Sequence, residues 1–563
     1  MPYKAPLKDI ASALKAEGYD QLLMLPAFEA ASADMTEGIL AEAAKLAENV
    51  FDPLYRKGDT HPAKLKDGKV EVTPGWAHGW QAMADGGWVG LAAAPDHGGM
   101  GMPEVLGLAV AEIFQGANMA LALCALLTQD AIYAMSLYGN AEQQTKYLPH
   151  MIEGKWTGTM NLTEPQAGSD LAAIRTSATP DGKHYRIKGQ KIYISYGDHE
   201  MTENIIHLVL ARLPDAPAGV KGISLFVVPK IFDGKLNDVH VASLEHKLGI
   251  HGSPTCVMIF GDKGGAIGEL VGEPHRGLEY MFAMMNHARL DVGLQGLAIA
   301  SRATQMAVNF ARERVQGKPV GFTGEGKAGI IYHPDVRRLL VSMKARVAAM
   351  RGLLYEVAAA RDVAQAHGDE GVRAMAARKV ELLTPVAKGW CTEVANQVAS
   401  DAVQIHGGMG YVEETGIAQV FRDARILPIY EGTTAIQAND LIGRKLLRDK
   451  GQALNEFLTS IASDSDAAEL KASRDVLRHS SEWIIQSAAR DARLPYASSV
   501  AFLQQLGFVC GAHALARQAK AGDAEADALL QFYVVHHLPL AAALHVSIAQ
   551  GSDQVFEFDE AAL

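Results

Sequence analysis

The chain has 563 residues, of which 48% are hydrophobic and 21% are charged. These values are ordinary for a globular protein and exclude a collagen-like or disordered chain. The 52 basic and 64 acidic residues give a formal net charge of −12, so no general basic field favours nucleic acid. We therefore expect no nucleic-acid partner, and the length predicts several domains.

The first residues and the cysteines bear on the compartment. The start, Met1-Pro2-Tyr3-Lys4, lacks the basic and then apolar pattern of a signal peptide. The most apolar stretch, residues 113–127, is shorter than the about 20 residues that a membrane span needs, so it predicts a buried helix and no membrane span. The four cysteines lie more than 100 residues apart, which favours free thiols in a reducing cytoplasm over a disulfide or a metal site.

Residues 1–155 are predicted to form an N-terminal helical domain, because most of this region is rich in Ala, Leu, Met and Glu at helical spacing. From residue 156 the pattern changes to short β-rich runs with turns between them. These runs are residues 185–194, 205–212, 223–228 and 255–260. Because no helical pattern separates them, residues 156–272 predict a middle β domain, a small antiparallel barrel or sandwich.

Helical spacing returns near residue 275. Residues 334–367 and 370–404 are two long helical segments joined by a short loop, which predicts a four-helix bundle over 273–455. A further Ala/Leu-rich block predicts an additional helical domain over 456–563. The predicted fold class is therefore multidomain α with a central β-barrel-like domain. Alternating strand–helix units are absent from the pattern, so no Rossmann domain is expected.

Two glycine-containing segments could hold a polar cofactor. Residues 160–170 (MNLTEPQAGSD) offer hydroxyls and open backbone amides, and a capped turn is the alternative interpretation. Residues 404–411 (QIHGGMGY) could bring the backbone close to a phosphate, but such glycines are also common where a helix ends. This second segment follows a helix and not a strand, so it is not a dinucleotide-binding fingerprint.

Two charged segments could carry chemistry. Residues 422–434 (RDARILPIYEGTT) place Glu431 between an apolar run and a helix, where a partly desolvated carboxylate with a raised pKa can act as a base. The alternative is a first-turn residue stabilised by the helix dipole. Arg289 and Arg314 lie near helix ends, where they could bind phosphates or be ordinary surface residues.

Together these segments resemble the acyl-CoA dehydrogenase family over roughly residues 40–450. The family signatures are similar to three stretches, Thr163-Glu-Pro-x-Ala-Gly-Ser-Asp170, Gln404-Ile-x-Gly-Gly-x-Gly-Tyr411, and Arg422-Asp-Ala-x-Ile to Tyr430-Glu-Gly-Thr433. The additional residues at both ends resemble the longer bacterial subgroup, which includes 3-methylmercaptopropionyl-CoA dehydrogenases and broad-range fatty acyl-CoA dehydrogenases.

The resemblance implies a helical domain, a β domain and a four-helix bundle, with FAD between them and across the interface of a homodimer or a dimer of dimers. The implied FAD contacts are Met160, Leu162, Thr163, Gly168, Ser169, Tyr193, Ser195, Arg314, Gln316, Gln404, Gly407, Gly408 and Thr433. Tyr193 and Ser195 replace the family's Trp and Thr beside the flavin. Arg314 and Gln316 would meet the pyrophosphate of the FAD in the partner subunit.

The implied reaction is α,β-dehydrogenation of an acyl-CoA thioester to trans-2-enoyl-CoA, as in fatty acid β-oxidation. Glu431 falls on the family's catalytic glutamate, while Ala288 occupies the position that carries the base in other members. Glu431 would remove the α-proton and its backbone N–H would help to form an oxyanion hole, while electrons pass through FAD to electron-transfer flavoprotein. The implied acyl-CoA contacts are Ser169, Asn286, Arg289, Glu431 and Gly432.

Two other functions stay open. An acyl-CoA oxidase shares this layout but passes electrons to oxygen, so formation of hydrogen peroxide in air distinguishes it. A non-catalytic flavin-binding relative, acting on DNA for example, would be supported if no acyl-CoA bleached the flavin. The net charge of −12 and the intact Tyr430-Glu431-Gly432-Thr433 sequence argue against this second alternative.

Overall fold

The computed structural model describes residues 2–464 and 467–562, and its N-terminal region surrounds one long buried helix. The elements are α1 (Leu7–Ala16), α2 (Tyr19–Leu22), α3 (Ala33–Leu46), α4 (Asp52–Thr60), β1 (Lys64–Lys66), β2 (Lys69–Glu71), α5 (Trp76–Asp85), α6 (Glu104–Tyr138) and α7 (Ala141–Ile152). Helix α6 has 35 residues, and most of its side chains are buried. The buried helix predicted for residues 113–127 is therefore confirmed.

The middle region is a mixed β-sheet. Its strands are β3 (Trp156–Asn161), β4 (Ser177–Asp181), β5 (His184–Ser195), β6 (Asn204–Arg212), β7 (Ile223–Pro229), β8 (Ile231–Phe232), β9 (Lys235–Leu236), β10 (Val239–Leu244), β11 (Thr255–Phe260) and β12 (Ala266–Val271). The main sheet runs in the order β10-β11-β5-β12-β7-β6-β3, with β4 beside β5. The expectation of a wholly antiparallel sheet is wrong, because β3 pairs in parallel with β6.

The region after the β-sheet is built around three long helices, α8, α9 and α10, whose ranges follow. Its helices are α8 (Gly277–Glu313), α9 (Pro334–Ala366), α10 (Glu370–His406), α11 (Ile417–Ala424) and α12 (Thr434–Ile442). Helix α8 packs against α6, α9 and α10, so its buried face joins the N-terminal region to the bundle. The small residues Gly293 and Gly296 allow this approach, since a Cβ at either would lie within about 3 Å of the α10 backbone.

The C-terminal block packs on the bundle. Its helices are α13 (Gln452–Asp464), α14 (Ala468–Ser487), α15 (Leu494–Ala497), α16 (Ser499–Lys520), α17 (Ala524–His536) and α18 (Pro539–Gly551). A Cβ added to Gly507 of α16 would lie 2.2 Å from Cγ of Trp390 on α10, so glycine permits this contact. Arg517 of α16 also pairs with Glu17, at 2.8 Å, which ties the block to the N-terminal helices.

Three helical segments of the described residues are long and apolar enough, by length and composition, to cross a membrane. They are Glu104–Tyr138, Ser499–Lys520 and Ala524–Gly551. The most apolar window is 94% buried in the first and 78% buried in the second, so packing within the protein accounts for their hydropathy. The third segment contains the two helices α17 and α18, and its most apolar window is 28% buried. The expected lack of a membrane span stays a prediction.

Asp362 of α9 caps the N-terminus of α6. Its Oδ1 accepts a hydrogen bond from Glu104 N at 2.7 Å, and its Oδ2 accepts one from Val105 N at 2.9 Å. We expect Asp362→Ala to reduce the free energy of unfolding by about 1–2 kcal/mol, because two buried N–H groups lose their acceptor. Urea denaturation followed by circular dichroism measures this, with the exposed Asp335→Ala as control. Equal losses in both variants would contradict the role of the cap.

Candidate active site

A tight turn between α11 and α12 presents Glu431. Glu431 and Gly432 both have left-handed backbone conformations, with φ of 54° and 87°. A left-handed glutamate is strained, so the surrounding bonds must hold it in place. Gln437 Nε2 donates to the carbonyl of Glu431 at 3.1 Å, and Thr433 Oγ1 accepts from Ile436 N as the cap of α12. The turn therefore fixes the backbone of Glu431 just before the start of α12.

The charges around Glu431 set its protonation. Burial raises the pKa of Glu431 to about 6, while Arg289 and Lys388 act in the opposite direction. Lys388 is fully buried on α10, and its Nζ donates to the carbonyl of Gly432 at 2.6 Å. Burial lowers the pKa of Lys388 to about 7, although Glu431 favours its charged form. Sequence analysis missed Lys388; its signal was a lysine within the apolar stretch around Pro385.

A carboxylate with this pKa acts as a base only when it is ionised, so kcat/KM should fall as the pH drops below about 6. Removing the cation in Lys388→Met should raise the pKa of Glu431 further and move this acid limb upward by about one pH unit. A pH profile of kcat/KM measures the shift. The control is Lys45→Met, an exposed lysine that pairs with Glu42 on α3. An unchanged limb in Lys388→Met would contradict the coupling.

Arg289 and Asn286 meet beside the same turn. Arg289 Nη1 donates to Asn286 Oδ1 at 3.1 Å and to Asp440 Oδ2 at 3.2 Å. The Arg289 side chain is 4% exposed, and its Nε has no partner among the described residues. Ala288 is buried and brings no acid to the site. The structure thus brings Asn286 and Arg289 together near Glu431, and it adds Asp440, which sequence analysis missed.

The segment after β3 is hydrogen-bonded to β5 on one side and is exposed on the other. The carbonyl of Leu162 accepts a hydrogen bond from the buried Lys191, and the carbonyl of Thr163 accepts one from Ile192 N. Gly168 and Ser169 are exposed, and a Cβ at Gly168 would meet nothing within 4 Å. Met160 is half-buried at the end of the same strand. The backbone and the small side chains at residues 168 and 169 therefore face open space.

Tyr193 and Ser195 lie on β5 next to this segment. Tyr193 has a left-handed φ of 60°, and 61% of the residue is exposed. An exposed aromatic ring on a strained backbone is a feature that bound ligands commonly explain. Ser195 is half-buried and pairs with Thr255 of β11. An exposed ring and a half-buried hydroxyl thus lie on the strand that pairs with the 160–170 segment.

The remaining predicted cofactor residues cluster at the other end of the bundle. Arg314 and Gln316 follow α8, and Gln404, Gly407 and Gly408 lie where α10 ends. Stacking of Phe310 on His406, with ring centroids 4.3 Å apart, holds the two helix ends together. All five predicted residues are exposed, and the built Cβ atoms of both glycines meet nothing within 4 Å. Along α8, about 37 Å separates Arg314 from Arg289, so these residues do not join Glu431 within one chain.

Family comparisons cover nearly the whole chain. Three models of acyl-CoA dehydrogenase domains match, the N-terminal domain over residues 35–155, the middle domain over 159–262 and the C-terminal domain over 275–447. The chain belongs to the acyl-CoA dehydrogenase family. A fourth model, described as acetyl-CoA dehydrogenase C-terminal like, matches residues 451–559. This acyl-CoA dehydrogenase thus carries a matched C-terminal domain beyond the bundle.

Two relatives match at least 93% of the enzyme. A 3-methylmercaptopropionyl-CoA dehydrogenase of Ruegeria pomeroyi is 45% identical over 553 residues, which is 93% of each chain. A broad-specificity linear acyl-CoA dehydrogenase of Mycobacterium tuberculosis is 35% identical and covers 100% of this chain and 99% of its own. The predicted family and longer subgroup are therefore confirmed.

A solved structure agrees with the fold. The acyl-CoA dehydrogenase of Bacillus anthracis complexed with FAD aligns with a TM-score of 0.76 at 20% identity, over 96% of this chain and 91% of that chain. The family is FAD-dependent, and the residues here fit that cofactor. The open backbone at Gly168, the exposed Tyr193 ring and the free glycines at the end of α10 leave room for a flavin and for phosphates.

Proposed function

We propose that the enzyme converts an acyl-CoA thioester to the trans-2-enoyl-CoA, with Glu431 as the base that removes the α-proton. The observation that carries this proposal is the Glu431 turn, where a left-handed glutamate has a pKa of about 6 beside Arg289 and Lys388. A raised pKa makes the carboxylate a stronger base, and the two cations stabilise negative charge that develops on the thioester. The substrate is a fatty acyl-CoA or 3-methylmercaptopropionyl-CoA.

The residues assigned to FAD fall into two groups. Met160, Leu162, Thr163, Gly168, Ser169, Tyr193, Ser195 and Thr433 would hold the flavin half near Glu431. Arg314, Gln316, Gln404, Gly407 and Gly408 would hold the phosphates and adenosine. When bound, FAD accepts the β-hydrogen as a hydride. Because about 37 Å of α8 separates Arg314 from the Glu431 end, we propose that a homodimer brings the second group to the partner's FAD.

CoA carries several phosphates, while the chain has a net charge of −12. Local cations must therefore attract it. Within the described part of the chain the Nε atom of Arg289 has no partner, and Arg289 contacts the exposed Asn286, which supports a CoA contact at this point. Ser169 and Gly432 would contact the acyl thioester. Electron-transfer flavoprotein is the proposed electron acceptor.

Anaerobic mixing of the FAD-bound enzyme with butyryl-CoA and with 3-methylmercaptopropionyl-CoA tests the proposal. We expect loss of the oxidised flavin absorbance and formation of the enoyl-CoA with at least one ester. Re-oxidation should be fast with electron-transfer flavoprotein and slow with oxygen. Stoichiometric hydrogen peroxide in air would identify an oxidase instead, and no bleaching by any acyl-CoA would support a non-catalytic flavin protein.

A further inference from the structure

A cavity lies away from the Glu431 turn, where three regions of the chain meet. It is bordered by Glu17 at the end of α1, by α9 and α10 of the bundle, and by α13 and α16 of the C-terminal block. Its volume is about 240 Å³, which equals roughly eight water molecules at their liquid volume. Ala376 of its wall precedes Lys388 by twelve residues on α10, about 18 Å along the helix. The cavity is therefore separate from the candidate active site.

Four charged side chains of the cavity wall form one cluster. Arg517 Nη1 lies 2.8 Å from Glu17 Oε2 and 3.3 Å from Glu356 Oε1. Lys379 Nζ donates to Glu356 Oε1 at 3.0 Å. Two carboxylates and two cations thus balance in charge. The Lys379 and Arg517 side chains are 28% and 19% exposed, so both cations are still accessible.

The two carboxylates of this cluster lack donors. The Glu17 and Glu356 side chains are each 3% exposed, and Glu17 Oε1 and Glu356 Oε2 have no hydrogen-bond partner among the described residues. His513 Nδ1 lies 3.8 Å from Glu356 Oε2, which is too far for a hydrogen bond. Burial raises the pKa of Glu17 to about 8 in spite of Arg517, as expected of a carboxylate with too few donors. A ligand that brings N–H groups would satisfy both oxygens.

The rest of the cavity wall is largely apolar. Val363, Val372 and the buried Phe457 line it, and Met375, which also lines it, is 53% exposed, so the wall reaches the surface there. The remaining charged residue of the wall, Glu456, is paired with Arg378 at 2.9 Å outside the cluster. A short apolar group can therefore pack beside the charged cluster.

From this arrangement we infer that the cavity binds a small apolar amino acid, such as leucine, in its zwitterionic form. The ammonium group donates to the free oxygens of Glu17 and Glu356, and the carboxylate accepts from Lys379 and Arg517. Lysine has three donors and arginine five, so both can bind a further acceptor. A zwitterion leaves the charge of the cluster balanced, whereas an amine or an acid alone would bury one uncompensated charge. Leucine, with about nine non-hydrogen atoms, suits the volume.

Three probes of similar shape test this inference: L-leucine, 4-methylpentanoate, which lacks the ammonium group, and 3-methylbutylamine, which lacks the carboxylate. Isothermal titration of the FAD-bound, full-length enzyme measures their affinities. We expect leucine to bind at least roughly tenfold more tightly than either analogue, because each loses its charge-assisted hydrogen bonds. Leucine should also raise the melting temperature, since its site joins three regions of the folded chain.

Variants of the wall locate the binding. Glu356→Gln should abolish the advantage of leucine over 4-methylpentanoate, and comparing two probes within one variant cancels any general loss of stability. Ala376→Phe fills the cavity from α10 and should reduce the affinity for leucine at least roughly tenfold. The matched control is Ala377→Phe, because Ala377 is the next residue and is exposed outside the wall. Bound FAD and circular dichroism show that each variant is folded.

Absence of leucine binding at millimolar concentration would overturn the inference and leave the cluster a structural ion-pair network. Equal affinities for leucine and either analogue would also overturn it, since the site would then not recognise a zwitterion. Unchanged leucine binding in a folded Ala376→Phe variant would place the ligand elsewhere and would count against this cavity. These measurements do not use acyl-CoA turnover, so their outcome is independent of the proposed function.

Discussion

Glu431→Gln should retain FAD and lose nearly all dehydrogenation, with flavin reduction by acyl-CoA slowed by about a thousandfold. Glutamine keeps the size of the side chain and leaves the backbone bonds of the turn intact, including the one from Gln437 Nε2 to the Glu431 carbonyl. It cannot accept the α-proton. The variant should therefore bind FAD with a normal visible spectrum, so stopped-flow bleaching of the flavin isolates the chemical step.

A second carboxylate near the turn supplies the control. Glu393 on α10 accepts a hydrogen bond from Thr434 Oγ1 at 2.6 Å, so it lies close to Glu431 without replacing it in the turn. Glu393→Gln should change the rate of flavin reduction by no more than a few-fold. Near-normal bleaching in Glu431→Gln, or an equal loss in both variants, would remove Glu431 as the base.

The order of domains and the Glu431 turn were predictable because their signals are local. The spacing of hydrophobic residues distinguishes the long helices from the short strands. The stretch from Tyr430 to Thr433 contains the proposed base, the left-handed glycine and the helix cap within four residues. The parallel pairing of β3 with β6 was not predictable in this way. Those strands are separated by β4 and β5 in sequence, and register between distant strands depends on the whole sheet.

Lys388, which lies beside the proposed base, was missed in sequence analysis. It lies inside an apolar helix, where its neighbours indicate core packing and nothing else. Its partner, the carbonyl of Gly432, comes from a turn 44 residues further along the chain. Helical periodicity reports which face of a helix is buried, but it does not report what that face meets. Electrostatic coupling to Glu431 therefore required the tertiary structure.

Lys191→Met should weaken the binding of FAD. Lys191 is fully buried on β5, and its Nζ donates to Glu164 Oε1 and to the carbonyl of Leu162, both at 2.9 Å. Glu164 also accepts backbone hydrogen bonds from Arg175 and Thr176. Burial alone would raise the pKa of Glu164, but Lys191 and these N–H groups lower it to about 2, so the acid stays ionised. Removing Lys191 leaves a buried charge unpaired beneath the segment assigned to the flavin.

Breaking a buried ion pair from one side costs about 3–5 kcal/mol. If half of that acts on the 160–170 segment, the affinity for FAD falls by roughly one to two orders of magnitude. Isothermal titration of the apoenzyme with FAD measures the loss. Lys188→Met, an exposed lysine on the same strand, should bind FAD normally. The double variant Lys191→Met/Glu164→Gln should recover part of the affinity, because no unpaired charge remains; failure of both controls would indicate general unfolding instead of a lost anchor.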